Sequence, residues 1–210
     1  GSLNRMASAG WAAALLAWAV VVPAAAPGQQ PVFADAGMVT VGAFAIDRYE
    51  YPNQPGVLPL VDVSWDEADS LCARQGKRLC TESEWQLAAG GPERLLFGYG
   101  TAFAASRCNT PYPVAGIWKR DRGLVPSGSF ADCCSPAGAC DMVGNAWEWV
   151  ADTSAAHPGG RIVRGGSWYN NVHFARTDAR YPRYLPSSFR LDLIGLRCCR
   201  SVPAAAADAP

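Results

Sequence analysis

Apolar and polar positions change period several times along the chain. Trp11 to Val22 (WAAALLAWAVVV) is an unbroken apolar run, followed by Pro23 and the small residues Ala24, Ala25 and Ala26. A bilayer span needs about 20 apolar residues, so this run is too short to cross one. It has the build of a signal-peptide core with a small-residue cleavage region, preceded by Arg5 as its one basic residue. Residues 1–30 are therefore expected to be a signal peptide or leader, 31–200 the folded domain, and 201–210 a disordered tail.

Val39 to Ile46 (VTVGAFAI) alternates and is rich in strand formers, which predicts a strand. Two helix starts of one design follow. Ser64-Trp65-Asp66-Glu67 and Thr81-Glu82-Ser83-Glu84 match the capping box, in which hydroxyl and carboxylate satisfy each other's orphan backbone donors. After the first, Ala68, Leu71 and Cys72 form an apolar stripe running to about Gln75, with Gly76 as a natural stop. After the second, Trp85, Ala88 and Ala89 repeat the stripe until Gly90-Gly91-Pro92 ends it. From Phe97 to Cys140 the periodicity gives way to Gly, Pro, Ser and Asn, which predicts a long loop with few regular elements. A loop of this length is pinned or functional. Ala146 to Val150, Arg161 to Val163 and Gly195 to Arg200 read as strands. The sum is an α+β domain of two short helices, short antiparallel strands and long loops, without βαβ alternation.

Composition narrows the function classes. Half the residues are hydrophobic and 17% are charged, with no net charge. Such a chain can bury enough apolar surface to fold. The absence of net charge, with Lys77 and Lys119 the only lysines, argues against nucleic acid as a partner. Nothing after the leader could span a membrane. The chain has eight cysteines. In an exported protein they imply disulfides, and in a cytosolic one metal or redox chemistry. Cys133-Cys134 with Cys140 lacks the paired spacing of a zinc ribbon. Pairing stays open, since eight cysteines allow about 105 connectivities. Cys108, Cys133, Cys134 and Cys140 all fall in the long loop and are available to pin it.

Six separated segments, in order, carry a resemblance. They are Ile46-Asp47-Arg48-Tyr49-Glu50, Val63-Ser64-Trp65, Gly76-Lys77-Arg78-Leu79 with Thr81 to Trp85, Asp141 to Trp149 (DMVGNAWEW), Val163 to Trp168 (VRGGSW) and Ile194 to Cys198 (IGLRC). Together they resemble the formylglycine-generating enzyme, or sulfatase-modifying factor, family over about residues 39 to 200. The resemblance implies an irregular C-type-lectin-like fold. Family enzymes oxidise a cysteine of a sulfatase with copper(I), held by two thiolates, and oxygen. Soft copper(I) wants soft ligands. Carried onto this chain, the two thiol positions are Asn170 and Ala175. Copper and formylglycine generation are therefore not expected here. A second branch of the family uses non-haem iron with several histidines, whereas this chain holds only His157 and His173. No nucleotide cofactor is expected.

The resemblance further implies structural calcium, which takes hard oxygen ligands. The first site would use carboxylates of Asp141 and Glu148 and carbonyls of Gly144 and Ala146. A second would use Asn109, the Thr110 carbonyl and, as nearest acid, Asp121. The alternative for Glu148 is a buried pair with an arginine such as Arg164. The resemblance also pairs Cys72 with Cys198, and suggests a parallel bridge between Cys80 and Cys199.

Charge is uneven: residues 161 to 200 hold eight arginines against Asp178 and Asp192. In the family this segment lines the substrate groove. The groove candidates are Ser167, Trp168, Tyr169, Asn170, His173, Phe174, Arg176, Asp178, Arg180, Tyr181, Arg183 and Tyr184. Arginine with tyrosine is the composition of binding hot spots and of planar anion recognition. The alternative is internal pairing of the arginines with acids elsewhere. The resulting expectation is a secreted, periplasmic or cell-envelope binding domain whose ligand is a protein, peptide or glycan. Two alternatives stand beside it: an oxidoreductase or maturation enzyme of the same superfamily, acting on a protein or secondary-metabolite substrate, and a structural envelope protein.

Overall fold

The computed structural model describes residues 37–203; the expected leader and most of the expected tail lie outside the described residues. The described residues open with β1 (Met38–Val41) and β2 (Phe44–Asp47), an antiparallel hairpin with Val41 opposite Phe44. The sequence pattern predicts one strand here. Gly42, at φ 59°, instead starts a two-residue turn, the left-handed position that glycine takes without steric cost.

Both capping boxes form. Ser64 and Glu67 cap α1 (Trp65–Arg74), and Thr81 and Glu84 cap α2 (Glu82–Gly90), with side chain and backbone bonded reciprocally. Between them lies β3 (Arg78–Leu79). The stripes bury Ala68 and Cys72 on α1, and Trp85, Ala88 and Ala89 on α2.

The long loop contains one hairpin, β4 (Tyr112–Val114) and β5 (Ile117–Lys119). It is pinned by the disulfides Cys108–Cys133 and Cys134–Cys140. Next come β6 (Trp147–Thr153) and β7 (Arg161–Arg164), paired antiparallel, then β8 (Ile194–Leu196) and β9 (Cys198–Ser201). The stretch expected to be one strand, Gly195 to Arg200, is thus divided between two sheets. β8 joins β6 in the three-stranded sheet β7-β6-β8, and that pair is parallel rather than antiparallel. β9 enters the four-stranded sheet β1-β2-β9-β3. It reaches to Ser201, the first residue of the expected tail. Arg197 sits at the crossing, fully buried.

Two disulfides fasten the crossing to the helical side: Cys72–Cys198 reaches α1, and Cys80–Cys199 reaches the start of α2. Trp147 and Trp149 of β6 pack with Ile194 and Leu196 of β8 in one core cluster. Trp85, Ala88 and Ala89 of α2 pack with Ile46, Val150 and Ile162 in another. Among the described residues no helix is long and apolar enough to cross a membrane.

Candidate functional site

After β7, Gly165 and Gly166 turn the chain with φ of 94° and 73°. A Cβ on Gly166 would lie 2.8 Å from the Phe174 carbonyl oxygen and 2.9 Å from Ala175 Cα. Only glycine lets this turn lie against the short 3-10 turn Val172–Ala175. Asn170, between the two turns, spends its side chain on the scaffold. Its Oδ1 accepts from Trp147 Nε1 at 2.7 Å and from Ser167 Oγ at 2.5 Å. Ala175 is buried in a cluster with Phe97, Cys108, Cys133 and Val143.

The other groove candidates are engaged in different ways. Phe174 and Tyr181 pack on the Trp147 ring, at 6.1 and 5.4 Å between centroids. Arg180 forks onto the carboxylate of Glu82, which also takes the buried Arg164. Arg176 pairs with Asp178 through Nε and Nη2. Tyr184 meets the His157 ring edge-on, and Trp168 the Tyr169 ring. Tyr169 and Arg183 are exposed, and the Arg120 guanidinium lies 5.5 Å from the Tyr169 centroid. The segment borders two separate clefts. One, about 560 Å³, runs between α2 and the 177–178 turn and is lined in part by Ser83, Leu87, Arg94 and Asp178. The other, about 150 Å³, lies between His173, Val172, Trp118 and Arg120.

The segment Asp141 to Glu148 enters a buried polar centre. Arg197 forks onto Glu148, with Nη2 2.8 Å from Oε1 and Nε 3.0 Å from Oε2. It also donates to the carbonyls of Asp47, Arg48 and Cys140. Trp85 Nε1 completes the Glu148 shell at 2.6 Å. The partner of Glu148 is thus Arg197 and not Arg164, which α2 claims through Glu82. Two further carboxylates lie near. Asp141 Oδ2 accepts from the Gly128 amide at 2.6 Å, and Glu50 accepts from Ser127 Oγ and Asn145 Nδ2. Burial raises Glu50 to about 8, and the neighbouring Asp141 and Glu148 charges add to the rise. Burial likewise raises Asp141 to about 6 against the pull of Gly128 and Arg197. Sequence inspection passed over Glu50, Asn145 and Arg197 as parts of this centre. All three stand in the motifs quoted above, which was the available signal.

At the second acidic candidate, Asp121 Oδ1 accepts from the Tyr112 hydroxyl at 2.8 Å. Arg122 Nη1 donates to the Thr110 carbonyl at 3.2 Å. Asn109 Oδ1 and Thr110 Oγ1 are buried with no hydrogen-bond partner.

The sulfatase-modifying factor enzyme 1-like domain pattern matches residues 46–202. The chain belongs to this sulfatase-modifying factor family. It is 34% identical over 166 residues to the inactive C-alpha-formylglycine-generating enzyme 2 of Mus musculus, covering 69% of this chain and 49% of that protein. It is 32% identical over 132 residues to the formylglycine-generating enzyme of Bos taurus, covering 52% and 35%. The chain thus spans about half, or less, of the curated relatives it matches. Among solved structures, Treponema denticola variable protein 1 superposes with a TM-score of 0.61 at 16% identity, over 78% of this chain and 86% of that one. PvdO from Pseudomonas aeruginosa gives 0.59 at 22%, over 76% and 80%. At such identities the likeness establishes the fold, which is C-type-lectin-like.

Within the family's scheme, copper(I) does not fit this chain. One thiol position is an asparagine already bonded to Trp147, the other an alanine in the core. All eight cysteine sulfurs are in disulfides, none free. Calcium at the first position finds donors of the right kind. Glu50 and Asp141 lie buried near the Arg197–Glu148 pair with raised pKa values, so a cation there would favour their ionised forms. Among the described residues, no three His, Cys, Asp or Glu side chains converge as ligands. Calcium would have to draw on the Gly144 and Ala146 carbonyls and share Glu148 with Arg197. At the second position the orphaned Asn109 Oδ1 suits a hard cation, but Arg122 already contacts the Thr110 carbonyl.

Proposed function

We propose that this chain is a non-catalytic binding domain on the sulfatase-modifying factor scaffold, working outside the cytoplasm in a secreted, periplasmic or envelope setting. The observation that carries it is the state of the two thiol positions. Asn170 serves as an acceptor for Trp147 and Ser167, and Ala175 fills the core. Two of the relatives matched are themselves named inactive. Four disulfides form and persist in an oxidising compartment, which supports the location.

The ligand surface is the segment from Tyr169 to Arg190, through the larger cleft it borders. That cleft mixes apolar walls, such as Leu87 and Leu96, with Ser83, Arg94 and Asp178. Its volume falls in the usual range for ligand sites, about 300–1,000 Å³. The ligand is a protein, peptide or glycan rather than a nucleic acid. Asp141, Gly144, Ala146 and Glu148 hold a structural calcium ion that stiffens the polar centre.

Incubating the chain with a Cys-x-Pro-x-Arg peptide, copper(I) and oxygen tests the first claim. The mass change of formylglycine is expected to be absent; turnover like that of a family enzyme overturns the reading. For calcium, the melting temperature of chelator-treated protein is expected to rise with added calcium. Asp141→Asn should remove that rise. A flat titration up to about 10 mM, beyond the weakest extracellular sites at about 10⁻³ M, overturns the calcium claim.

A further inference from the structure

The hairpin in the long loop has a use that the binding groove does not absorb. Its six residues Pro113 to Trp118 (PVAGIW) are all exposed. Val114, Ile117 and Trp118 keep 47%, 63% and 48% of their surface in water. An uninterrupted exposed apolar run is disfavoured in a soluble domain unless it serves a contact. Only the Trp118 indole brings a polar side-chain atom.

The run is held in one shape. Val114 pairs with Ile117 across the strands, and Ala115 and Gly116 turn at φ 48° and 80°. Two left-handed residues in succession make the type I′ turn, whose twist suits a hairpin. The base is braced. The Arg122 guanidinium lies 3.9 Å from the Tyr112 ring centroid and bonds the Thr110 carbonyl. Trp118 packs on Phe103 at 6.0 Å. A rigid apolar tip therefore stands on an aromatic base formed by Tyr112 and Trp118.

Directly behind it come Lys119, Arg120 and Arg122 against Asp121, a local surplus of two positive charges in a chain with none overall. Asp121 is engaged by the Tyr112 hydroxyl.

We propose that the β4–β5 hairpin docks the domain on an anionic lipid bilayer. Val114 to Trp118 enters the headgroup boundary, Tyr112 and Trp118 sit at the water interface, and Lys119 and Arg120 face lipid phosphates. Aromatic residues favour that depth, and basic residues beside an apolar surface are drawn to anionic lipid. A protein partner fits less well. A stable interface covers about 800 Å² on each side and carries polar partners that this run lacks. The proposal rests neither on the larger cleft nor on the missing catalytic thiols, although Trp118 and Arg120 also wall the smaller cleft.

The test uses the full chain with vesicles of phosphatidylcholine alone or mixed with phosphatidylglycerol. The N-terminal apolar run could bind lipid by itself, so the readout must belong to the tip. Quenching by bromine-labelled lipid, taken as wild type minus Trp118→Phe, isolates Trp118. Strong quenching is expected on the mixed vesicles, and weak quenching on phosphatidylcholine. The double variant Val114→Asp/Ile117→Asp should abolish it with an unchanged melting temperature, since both side chains are exposed. Lys119→Gln/Arg120→Gln should weaken partitioning about 30-fold, near fivefold per cation removed. Trp118 unquenched on mixed vesicles overturns the proposal, as does quenching indifferent to the Asp variants. Concentration-dependent self-association, lost in the Asp variants and without lipid quenching, also overturns it and assigns the tip to a second copy of the chain.

Discussion

Replacing Arg197 by Met probes the centre on which both sheets depend. The guanidinium is wholly buried and forks onto Glu148, itself 1% exposed. It also serves three carbonyls, from Asp47, Arg48 and Cys140. Methionine keeps much of the volume and none of the donors. Breaking a buried ion pair by removing one partner costs about 3–5 kcal/mol, because the remaining charge is stranded. Asp141 loses the same counter-charge and the three carbonyls lose their donor, so the cost should lie at or above that range. For a domain of this size about 1 kcal/mol moves the melting temperature by about 2–4 °C, which gives a fall of about 6–20 °C. Thermal and urea unfolding followed by circular dichroism, with disulfides intact, would measure it. The double variant Arg197→Met/Glu148→Gln should recover part of the loss, since no stranded charge remains. A single-variant loss below about 1 kcal/mol, or a double variant as unstable as the sum of the singles, would refute the reasoning.

The same centre predicts a pH dependence. Glu50 is raised to about 8 in the folded chain, above its ordinary 4.5. Its contribution to stability is therefore complete below about 4.5 and is lost as pH rises through about 8. Urea unfolding between pH 5 and 9 without divalent ions should show stability falling, and Glu50→Gln should flatten the upper part of that fall. Asn170→Ala strands the Trp147 indole and the Ser167 hydroxyl and should cost about 1–3 kcal/mol, measured by the same unfolding. An unchanged midpoint would mean that Asn170 is free for another role. The parallel bridges Cys72–Cys198 and Cys80–Cys199 close nearly the same long loop, with separations of 126 and 119. Removing either alone opens a loop of roughly ten residues and should cost about 2–3 kcal/mol, whereas removing the second as well should cost about 5 more. Equal costs for the two steps would contradict this nesting.

What could be read from the sequence was local. Each capping box closes within three residues, so Ser64–Glu67 and Thr81–Glu84 announced both helices correctly. Motif positions also carried the fold family and the state of the two thiol positions. The errors arose where distant partners decide. Val39 to Ile46 looks like one strand, because its composition is that of a strand throughout and Gly42 is the one local sign of a turn. Gly195 to Arg200 looks like one strand, because nothing local shows that Arg197 must turn inward to meet Glu148. The hairpin around Gly116 was hidden by Pro113 and by apolar side chains that face water instead of a core. Arginine pairing was opaque for the same reason. Arg164 and Arg180 find Glu82, which lies 82 and 98 residues away. Nor does the sequence show that Phe174 and Tyr181, among the groove residues the family implies, pack on Trp147.

Every sulfur of the eight cysteines serves the fold, and none is left for copper. Counting thiols in the denatured, unreduced protein checks this. No free thiol per chain is expected before reduction, and eight after it. Two free thiols, with copper(I) held tightly by the unreduced native protein, would contradict it.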